Sequence, residues 1–345
     1  MPTSARQRQR RCTLTRQPDG SYRLTFEEAP VPEPTDLQVL VRVRAASLNR
    51  RDVYVLKGQY PMPPRPALVP LSDGAGEVVS IGAGVTRFRA GDRVAAIFFQ
   101  RWLDGRPDAD GLSSALGGQL DGMLSEYVCL SQEGLVRIPE GYSFEEAATL
   151  PCAAVTAWNA LITRGRMRAG DNVLLLGTGG VSIFGLQFAS AAGARPIVTS
   201  SSDEKLTRAR GLGAASTINY VRSPEWSSDV RAATGGIGAH QVLEVGGAGT
   251  LRQSIASLAP GGHIALIGGL AGFGGEVPVT ALMHANATVS GIYVGSRADF
   301  EAMRDFIERH RIRPVIDRTY GLEDASSAYQ HMEAGRHFGK VVIRL

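Results

Sequence analysis

The stretch VLLLGTGGVSIFG, residues 173–185, decides the fold of this chain. Its four leading apolar residues predict a short buried strand, a glycine turn follows at once, and the spacing after the turn predicts a helix. Gly177 permits the tight turn, Gly179 lets the backbone approach a pyrophosphate, and the helix N-terminus offers unpaired N–H groups to phosphates. This order of elements predicts a dinucleotide-binding site, although Ser182 replaces the third glycine of the usual fingerprint.

The end of the next strand, Pro196–Thr199, indicates which dinucleotide to expect. A site for NAD places an Asp or Glu there, about 20 residues past the glycines, to bind the ribose 2′-hydroxyl. This chain has serines at 200–202 instead, and their hydroxyls together with Lys205 can bind a 2′-phosphate. We therefore expect NADP(H). The alternative is that Ser201 and Glu204 only form a capping box for the helix that follows.

From residue 172 onward, strand patterns alternate with helix patterns. Strands are expected near 173–176, 196–199, 217–219, 241–245, 263–267 and 289–294, and helices near 181–192, 203–212, 228–234 and 249–258. Such alternation predicts a doubly wound parallel sheet, whose ligands bind beyond the carboxyl ends of the strands. Those ends are at Gly177, Ser200, Tyr220, Gly246–Gly247 and Gly268–Leu270.

Short alternating segments between glycine and proline turns characterise the first half of the chain. They predict an irregular all-β domain, with a long loop over 100–122. The segment after residue 295 does not continue the strand–helix alternation and is expected to return to the first domain. The predicted organisation is a disordered basic tail over 1–20, an irregular β domain over 21–152 and 295–345, and a parallel-sheet domain over 153–294.

Composition is typical of a soluble globular protein. A chain of 345 residues predicts two domains, the 43% hydrophobic and 20% charged content suits soluble domains, and no apolar run is long enough to span a membrane. The net charge of +4 equals the charge of Arg6, Arg8, Arg10 and Arg11, so the rest is neutral and a nucleic-acid surface is not expected. Three cysteines form no disulfide framework, which favours a reducing, cytoplasmic location.

Ordered matches from Tyr22 to the C-terminus resemble the medium-chain dehydrogenase/reductase superfamily, in its zinc-free, quinone-oxidoreductase-like branch. Besides the glycine loop, the matching segments are ASLN at 46–49, Asp52, LKG at 56–58, GAGEVV at 74–79, GDRV at 91–94, LPC at 150–152, TAW at 156–158 and GKVVI at 339–343. The resemblance implies a GroES-like catalytic domain, a Rossmann domain, a cleft between them, and a homodimer formed through the sheet edge near Ala287–Val294.

The resemblance also bears on the metal. The family's zinc members hold a catalytic zinc with a Cys, a His and a third ligand, and the matching positions here are Asn49, Ser72 and Cys152. Two of the three ligands are therefore replaced. No histidine precedes His240, and too few cysteines remain for a four-cysteine structural zinc lobe. We expect no metal.

The strand ends and the resemblance together predict the site residues. The predicted catalytic residues, as hydrogen-bond donors or proton relays, are Asn49, Tyr54 and Tyr60. The predicted cofactor-binding residues are Asn49, Thr156, Gly177, Thr178, Gly179, Gly180, Val181, Ser200, Ser201, Lys205, Tyr220, Gly246, Gly268, Gly269, Leu270, Val294 and Lys340. The polar ones also have structural interpretations: Asn49 as a buried turn residue, the tyrosines as packing residues, and Lys340 as a solvated lysine.

The expected chemistry follows from the missing metal. Strong polarisation of a simple ketone is harder without a Lewis acid, whereas a quinone or an enone already spreads charge onto its oxygen. We therefore expect NADPH-dependent reduction of a small-molecule electrophile, either a quinone or the activated C=C bond of an enone. The alternatives are a zinc-free NADP-dependent alcohol dehydrogenase and an NADPH-binding protein without turnover.

Overall fold

The protein is described from a computed structural model, which places residues 7–62 and 64–345. The strands in these residues are β1 (Arg8–Arg16), β2 (Tyr22–Pro30), β3 (Gln38–Leu48), β4 (Asp73–Ile81), β5 (Arg93–Ala96), β6 (Tyr127–Ser131), β7 (Leu135–Arg137), β8 (Asn172–Leu176), β9 (Arg195–Ser200), β10 (Ser216–Asn219), β11 (Ala239–Glu244), β12 (Leu258–Leu266), β13 (Thr288–Gly291), β14 (Ile316–Gly321) and β15 (Lys340–Arg344).

The helices are interspersed with these strands. They are α1 (Arg50–Leu56), α2 (Ala109–Leu112), α3 (Phe144–Ala148), α4 (Val155–Trp158), α5 (Gly180–Ala191), α6 (Asp203–Gly211), α7 (Trp226–Ala233), α8 (Ala248–Ala256), α9 (Val279–His284), α10 (Arg297–His310) and α11 (Ala325–Glu333). π-Helical turns at Leu150–Ala154 and Asn159–Arg164 flank α4. None of the helices within the described ranges has the combined length and apolar character that a membrane span requires.

The chain divides into two compact units, and unit 2 comprises Ala153–Val294. Its six strands form one parallel sheet in the order β10-β9-β8-β11-β12-β13. Apolar residues of the central strands, such as Leu174 and Val242, form its core with helix residues such as Val230 and Ile255. The predicted doubly wound parallel sheet is confirmed, and the strand order reverses direction at β8, where ligands of such sheets bind.

Unit 1 comprises residues up to Cys152 together with Gly295–Leu345. Its larger sheet has the order β14-β15-β3-β4-β5-β7, with β6 also paired to β3. The C-terminal strand β15 pairs antiparallel with β3, and β3 pairs antiparallel with β4. The irregular β domain predicted from the sequence is therefore present, and the C-terminal segment belongs to it.

The predicted disorder over residues 1–20 is wrong for the segment Arg8–Arg16. This segment is strand β1, which pairs antiparallel with β2 along its whole length. Cys12 and Leu14 are buried, while arginines on the exposed positions pair with carboxylates of β2 and of residue 126. The basic composition of this segment does not predict a strand, because its arginine side chains are paired with carboxylates of other segments. Arg6 lies outside the described residues.

Other differences are local. The sequence did not predict α1, α9 or β14. The predicted loop over 100–122 contains the short helix α2, and its backbone is held at Trp102 and Leu103, whose carbonyls accept the N–H groups of Arg297 and Ala298. This loop is therefore anchored to the start of α10.

Candidate functional site

The glycine turn of unit 2 has the backbone that the fingerprint predicts. Gly177 has a φ of 74°, a region that favours glycine. The Ser182 hydroxyl donates to the Leu176 carbonyl over 2.6 Å, so this serine caps the strand end instead of obstructing the turn. The close approach of helix to strand occurs one turn later, at Gly185, where a Cβ would lie 2.7 Å from Leu243 Cδ2.

The N-terminus of α5 is suited to an anion. Gly179 is its N-cap residue and supplies no side-chain cap, so the first N–H groups of the helix are left to a ligand. Thr178 and the backbone of Gly180 and Val181 belong to the same turn. A helix N-terminus of this kind binds a pyrophosphate through backbone N–H groups. The residues present therefore fit a dinucleotide.

The end of β9 carries the three serines in different roles. Ser200 is buried and its hydroxyl accepts the N–H of Ser202, whereas Ser201 is exposed. Ser202, and not Ser201, caps α6 by accepting the N–H of Lys205, which corrects the alternative interpretation from the sequence. Ser201 is therefore left without a capping role.

A charged pair missed by sequence reasoning lies beside these serines. The Asp203 carboxylate accepts from Asn219 Nδ2 at 2.8 Å and forms an ion pair with Arg222. Asn219 directly precedes the predicted site residue Tyr220, which is exposed after β10. Since Arg222 balances Asp203, the carboxylate does not leave a net negative charge at this strand end.

A buried carboxylate organises the loop after β11. Glu244 Oε1 accepts the N–H of Gly246 at 2.7 Å, the N–H of Gly247 at 3.0 Å and the Thr250 hydroxyl at 2.6 Å. Its Oε2 accepts the Ser254 hydroxyl. Both carboxylate oxygens of Glu244 thus accept hydrogen bonds from the loop and from α8. Glu244 thus fixes the loop that contains the predicted site residue Gly246.

The loops after β11 and β12 are joined by backbone hydrogen bonds. The Leu270 N–H donates to the Val245 carbonyl at 3.1 Å, and the Ala271 N–H donates to the Gly246 carbonyl at 2.7 Å. The structure therefore brings Gly246 together with the predicted site residues Gly268, Gly269 and Leu270 at one edge of the parallel sheet. Glu244 is the positioning residue that sequence reasoning missed, and its place as a carboxylate ending an apolar strand was the available signal.

Thr156 and Val294 lie elsewhere in unit 2. Thr156 is buried on α4, a helix that packs against α5. Val294 has a φ of 59°, which is strained for a β-branched residue, and Asn159 Nδ2 donates to its carbonyl at 2.7 Å. Strain of this kind persists only where surrounding contacts enforce it, and it concentrates at functional sites.

Lys340 is a buried residue of unit 1. Its Nζ donates to the Leu48 carbonyl at 2.7 Å and to Asn49 Oδ1 at 2.6 Å, and lies 3.5 Å from Asp73 Oδ2. Its side chain is 2% exposed and that of Asp73 is 0% exposed. The interpretation of Lys340 as a solvated lysine is therefore wrong, because its side chain is buried against oxygen atoms of its own unit. That Lys340 binds the cofactor stays a prediction.

Every polar contact that the structure gives to Asp73 comes from a donor. The Ser72 hydroxyl donates to Oδ1 at 2.8 Å and the Cys152 N–H donates to Oδ2 at 3.3 Å. Burial raises the pKa of Asp73, while the Lys340 ammonium, Asn49 and Ser72 lower it. The surrounding donors match an ionised carboxylate paired with Lys340.

A second buried charge pair holds the other side of Asn49. Asp52 Oδ2 accepts the Asn49 N–H at 2.8 Å, and Asp52 Oδ1 lies 3.2 Å from Arg51. Burial raises the pKa of Asp52 to about 6, against the lowering effect of Arg51. The Arg51 guanidinium also lies 5.2 Å from the ring centre of Tyr60, and Arg50 lies 5.5 Å from that of Tyr54. Arg51 therefore connects Tyr60 to Asp52, which holds Asn49, whereas Tyr54 packs against Arg50 on α1.

Backbone strain accompanies this group. Leu71, directly before Ser72, has a φ of 70° and is fully buried. Its carbonyl accepts the N–H of Met123 at 2.8 Å, and the backbone of Gly122 packs so closely that a Cβ there would lie 2.0 Å from the Leu71 carbonyl oxygen. The tightly packed turn therefore sets the positions of Ser72 and of Asp73, the first residue of β4.

Comparison with known proteins identifies the family. Residues 35–140 match the family model for the GroES-like domain of alcohol dehydrogenases, and residues 180–309 match that for zinc-binding dehydrogenases. A zinc-type alcohol dehydrogenase-like protein of Schizosaccharomyces pombe is 46% identical, over 94% of this chain and 96% of that protein. The chain belongs to the medium-chain dehydrogenase/reductase superfamily. It is an alcohol dehydrogenase-like oxidoreductase, in a family whose members use nicotinamide dinucleotides.

Solved structures of this superfamily share the fold over nearly the whole chain. A putative alcohol dehydrogenase of Sinorhizobium meliloti is 42% identical with a TM-score of 0.93, covering 99% of this chain and 100% of that one. An NAD-dependent alcohol dehydrogenase is 34% identical with a TM-score of 0.87, covering 97% and 99%. A quinone oxidoreductase of Pseudomonas syringae is 27% identical with a TM-score of 0.81, covering 98% and 100%.

The family names imply a zinc ion, and the residues of unit 1 do not fit one. Within residues 7–62 and 64–345, no group of three or more His, Cys, Asp and Glu side chains is arranged to hold a metal ion. At the positions matched to zinc ligands, Asn49 Oδ1 is bonded to the ammonium of Lys340, and the Ser72 hydroxyl donates to Asp73. Burial raises the pKa of the Cys152 thiol well above its usual value, and the charge on Asp73 raises it further. A thiol held protonated beside an ammonium is a poor zinc ligand.

We predict that Glu244→Ala disrupts the β11 loop. It removes the acceptor for two backbone N–H groups and two hydroxyls, so the free energy of unfolding should fall by roughly 3 kcal/mol or more. Glu244→Gln is the matched control, because its amide oxygen can still accept from the loop while its NH2 donates to Ser254; its loss should be about 1 kcal/mol. Chemical denaturation measures both variants, and equal losses would contradict this role.

Proposed function

We propose that this chain is a zinc-independent, NADPH-dependent oxidoreductase that reduces quinones or the activated C=C bond of enones by hydride transfer. The observation that carries the proposal is the Lys340 ammonium, bonded to Asn49 among the residues that match zinc ligands. A nicotinamide cofactor supplies the hydride. The chain's own task is then to bind that cofactor, to orient the electrophile and to stabilise charge on its oxygen.

The chemistry of unit 1 suits an electrophile that is already activated. Asn49, Tyr54 and Tyr60 are proposed to provide hydrogen bonds or a proton relay for the substrate oxygen. Their side chains are neutral donors, which stabilise developing charge less strongly than a metal ion does. A conjugated carbonyl needs less polarisation than a simple ketone. The quinone oxidoreductase of Pseudomonas syringae among the similar structures is consistent with this class of substrate.

A specific observation favours a second candidate. Several relatives carry the name alcohol dehydrogenase, among them the 34% identical NAD-dependent structure. The alternative is therefore a zinc-free NADP-dependent alcohol dehydrogenase, which would need a protein acid–base group in place of the metal. Asp52 is a titratable group in unit 1 with a pKa of about 6, but it is buried behind Asn49. A non-catalytic NADPH-binding protein is the remaining alternative.

Rates of NADPH oxidation and of NADP⁺ reduction distinguish the reductase, the alcohol dehydrogenase and the non-catalytic protein. After dialysis against a strong zinc chelator, NADPH oxidation with a quinone and with an enone is compared with NADP⁺ reduction by a panel of alcohols. We expect chelator-resistant NADPH oxidation to exceed alcohol turnover. Alcohol turnover with no quinone or enone reduction would reverse the ranking, and tight NADPH binding without any oxidation would favour the non-catalytic alternative.

The preference for NADPH rests on the serines after β9, with Lys205 and Tyr220 beside them. Ser201 is exposed, so Ser201→Asp adds a carboxylate there without burying a charge. We predict that this change weakens NADPH binding about tenfold by repulsion of the 2′-phosphate and leaves NADH binding nearly unchanged. Ser228→Asp, at an exposed serine of α7, is the control for charge alone. Calorimetric titration that finds NADH preferred by the unaltered chain would contradict the assignment.

A homodimer formed through β13 is part of the proposal. β13 is at the edge of the six-stranded sheet, and the exposed apolar residues around it include Val289, Tyr293 and Met283. Unpaired edge strands with apolar neighbours favour pairing with another chain. Val289→Lys should therefore shift the protein to a monomer in light scattering, whereas Ile237→Lys, at another exposed apolar position, should not. A wild-type protein that is monomeric at micromolar concentration would contradict the dimer.

The remaining expectations concern location and other partners. A cytoplasmic location is supported by the free cysteines, Cys12, Cys129 and Cys152. Binding to nucleic acid is not proposed, because Arg8, Arg10 and Arg11 are paired with carboxylates. The proposed partners are thus a small-molecule electrophile and a second copy of the chain.

A further inference from the structure

The buried lysine of unit 1 is unusual for this chain. The sequence contains only three lysines, Lys57, Lys205 and Lys340, and otherwise carries its positive charge on arginine. Lys57 forms an exposed ion pair with Glu333, whereas the Lys340 side chain is 2% exposed. Burying an ammonium is costly unless hydrogen bonds and an opposite charge compensate it. A lysine buried at this position therefore indicates a role that needs a compact ammonium group.

Lys340 determines how the Asn49 amide is oriented. An ammonium is a donor only, so the Asn49 atom 2.6 Å from it must be the amide oxygen. This contact removes the usual ambiguity between the oxygen and nitrogen of an asparagine side chain. It also directs Nδ2 away from the lysine. Nδ2 is shielded from solvent and makes no hydrogen bond of normal geometry among the described residues, and its one interaction there is with Asp73, whose pKa it lowers.

The backbone of Asn49 is fixed as firmly as its side chain. Asp52 accepts the Asn49 N–H, and Lys340 also binds the carbonyl of Leu48, the residue before it. Asn49 is 9% exposed, so an unpaired donor at its tip costs about 1–3 kcal/mol. Asn49 is thus held at its amide oxygen and at its backbone N–H, while its Nδ2 lacks a hydrogen bond of normal geometry and remains a donor for a ligand oxygen.

We propose that Lys340 is a positioning residue, a built-in cation that neutralises Asp73 and holds Asn49 Oδ1 so that Asn49 Nδ2 is the donor presented to the substrate oxygen. This inference rests on the proposed function for the identity of the reaction. Arginine cannot replace Lys340, because a planar guanidinium cannot point three donors from one atom to Leu48, Asn49 and Asp73.

A double variant separates the effect of the Lys340 charge on stability from its effect on the position of Asn49. Lys340→Met leaves Asp73 buried without its counter-charge and should lower the unfolding temperature, whereas Lys340→Met with Asp73→Asn removes both charges and should recover most of that loss. In the double variant, kcat should still fall about 100-fold because Asn49 is no longer held. NADPH affinity should be unchanged. Lys57→Met, an exposed lysine of the same unit, is the matched control and should retain wild-type kcat.

Two outcomes would overturn the proposal. If the double variant turns over at the wild-type rate, Lys340 serves only as the ion-pair partner of Asp73. If it binds NADPH at least tenfold more weakly, Lys340 contacts the cofactor instead. Unfolding temperatures require no substrate, and kcat is measured in whichever reaction the wild type performs. Failure of the wild type to reduce quinones and enones would therefore count against the proposed function and not against Lys340.

Action through Asn49 has its own test. If Lys340 works by holding this amide, then in an Asn49→Ala background the added Lys340→Met and Asp73→Asn changes should cost no further turnover. An additional loss of about 100-fold in that background would mean that Lys340 acts independently of Asn49. Lys340→Arg should resemble Lys340→Met in turnover, and full activity of Lys340→Arg would contradict the geometric requirement.

Discussion

The hydrogen bond from the Lys340 ammonium to Asn49 Oδ1 is the contact on which the proposed chemistry of unit 1 depends. Sheet register creates it: Val341 on β15 pairs with Leu48 on β3, and Ser47 on β3 pairs with Asp73 on β4. Three neighbouring strands thus bring together a lysine, an asparagine and an aspartate that are far apart in the sequence. These three side chains together carry no net charge, and almost every hydrogen-bond donor among them has an acceptor. A buried ionic group requires both conditions.

In unit 2, backbone N–H groups and not side chains form the predicted binding surface. Its parallel strands end at one edge, and the turn at Gly177 and the helix after it expose N–H groups for a pyrophosphate. Glu244 accepts hydrogen bonds from the loop after β11 and thereby fixes it. Backbone hydrogen bonds join this loop to the loop after β12. The proposed cofactor surface, made largely of glycine backbone, therefore depends on a carboxylate that does not need to touch the ligand. In unit 1 the side chains are proposed to form the reactive surface, and Lys340 is proposed to have the corresponding supporting role.

The sequence predicted unit 2 more completely than unit 1, for a physical reason. Parallel strands and their helices are read from hydrophobic periodicity, and the functional positions follow each strand directly. In unit 1 the partners of Asn49 come from β4 and from the C-terminal strand, and register between strands distant in sequence has no local signal. The sequence alone therefore allows Lys340 to be a cofactor contact or a solvated residue, and the structure excludes the solvated one because the side chain is buried. The strand β1 was missed because its arginines suggested a disordered tail, whereas its cross-strand partners, such as Glu27 and Glu28, lie in the next segment.

Lysine-selective NMR of the ammonium groups tests most directly whether the Lys340 ammonium is held between Asn49 and Asp73. With only Lys57, Lys205 and Lys340 in the chain, protein labelled with 15N-lysine gives at most three such signals, and Lys340→Met assigns one of them. We expect the Lys340 ammonium protons to exchange slowly with water, and their signal to be lost in this variant. Rapid exchange of all three lysines, typical of solvated side chains, would contradict a Lys340 ammonium held between Asn49 and Asp73.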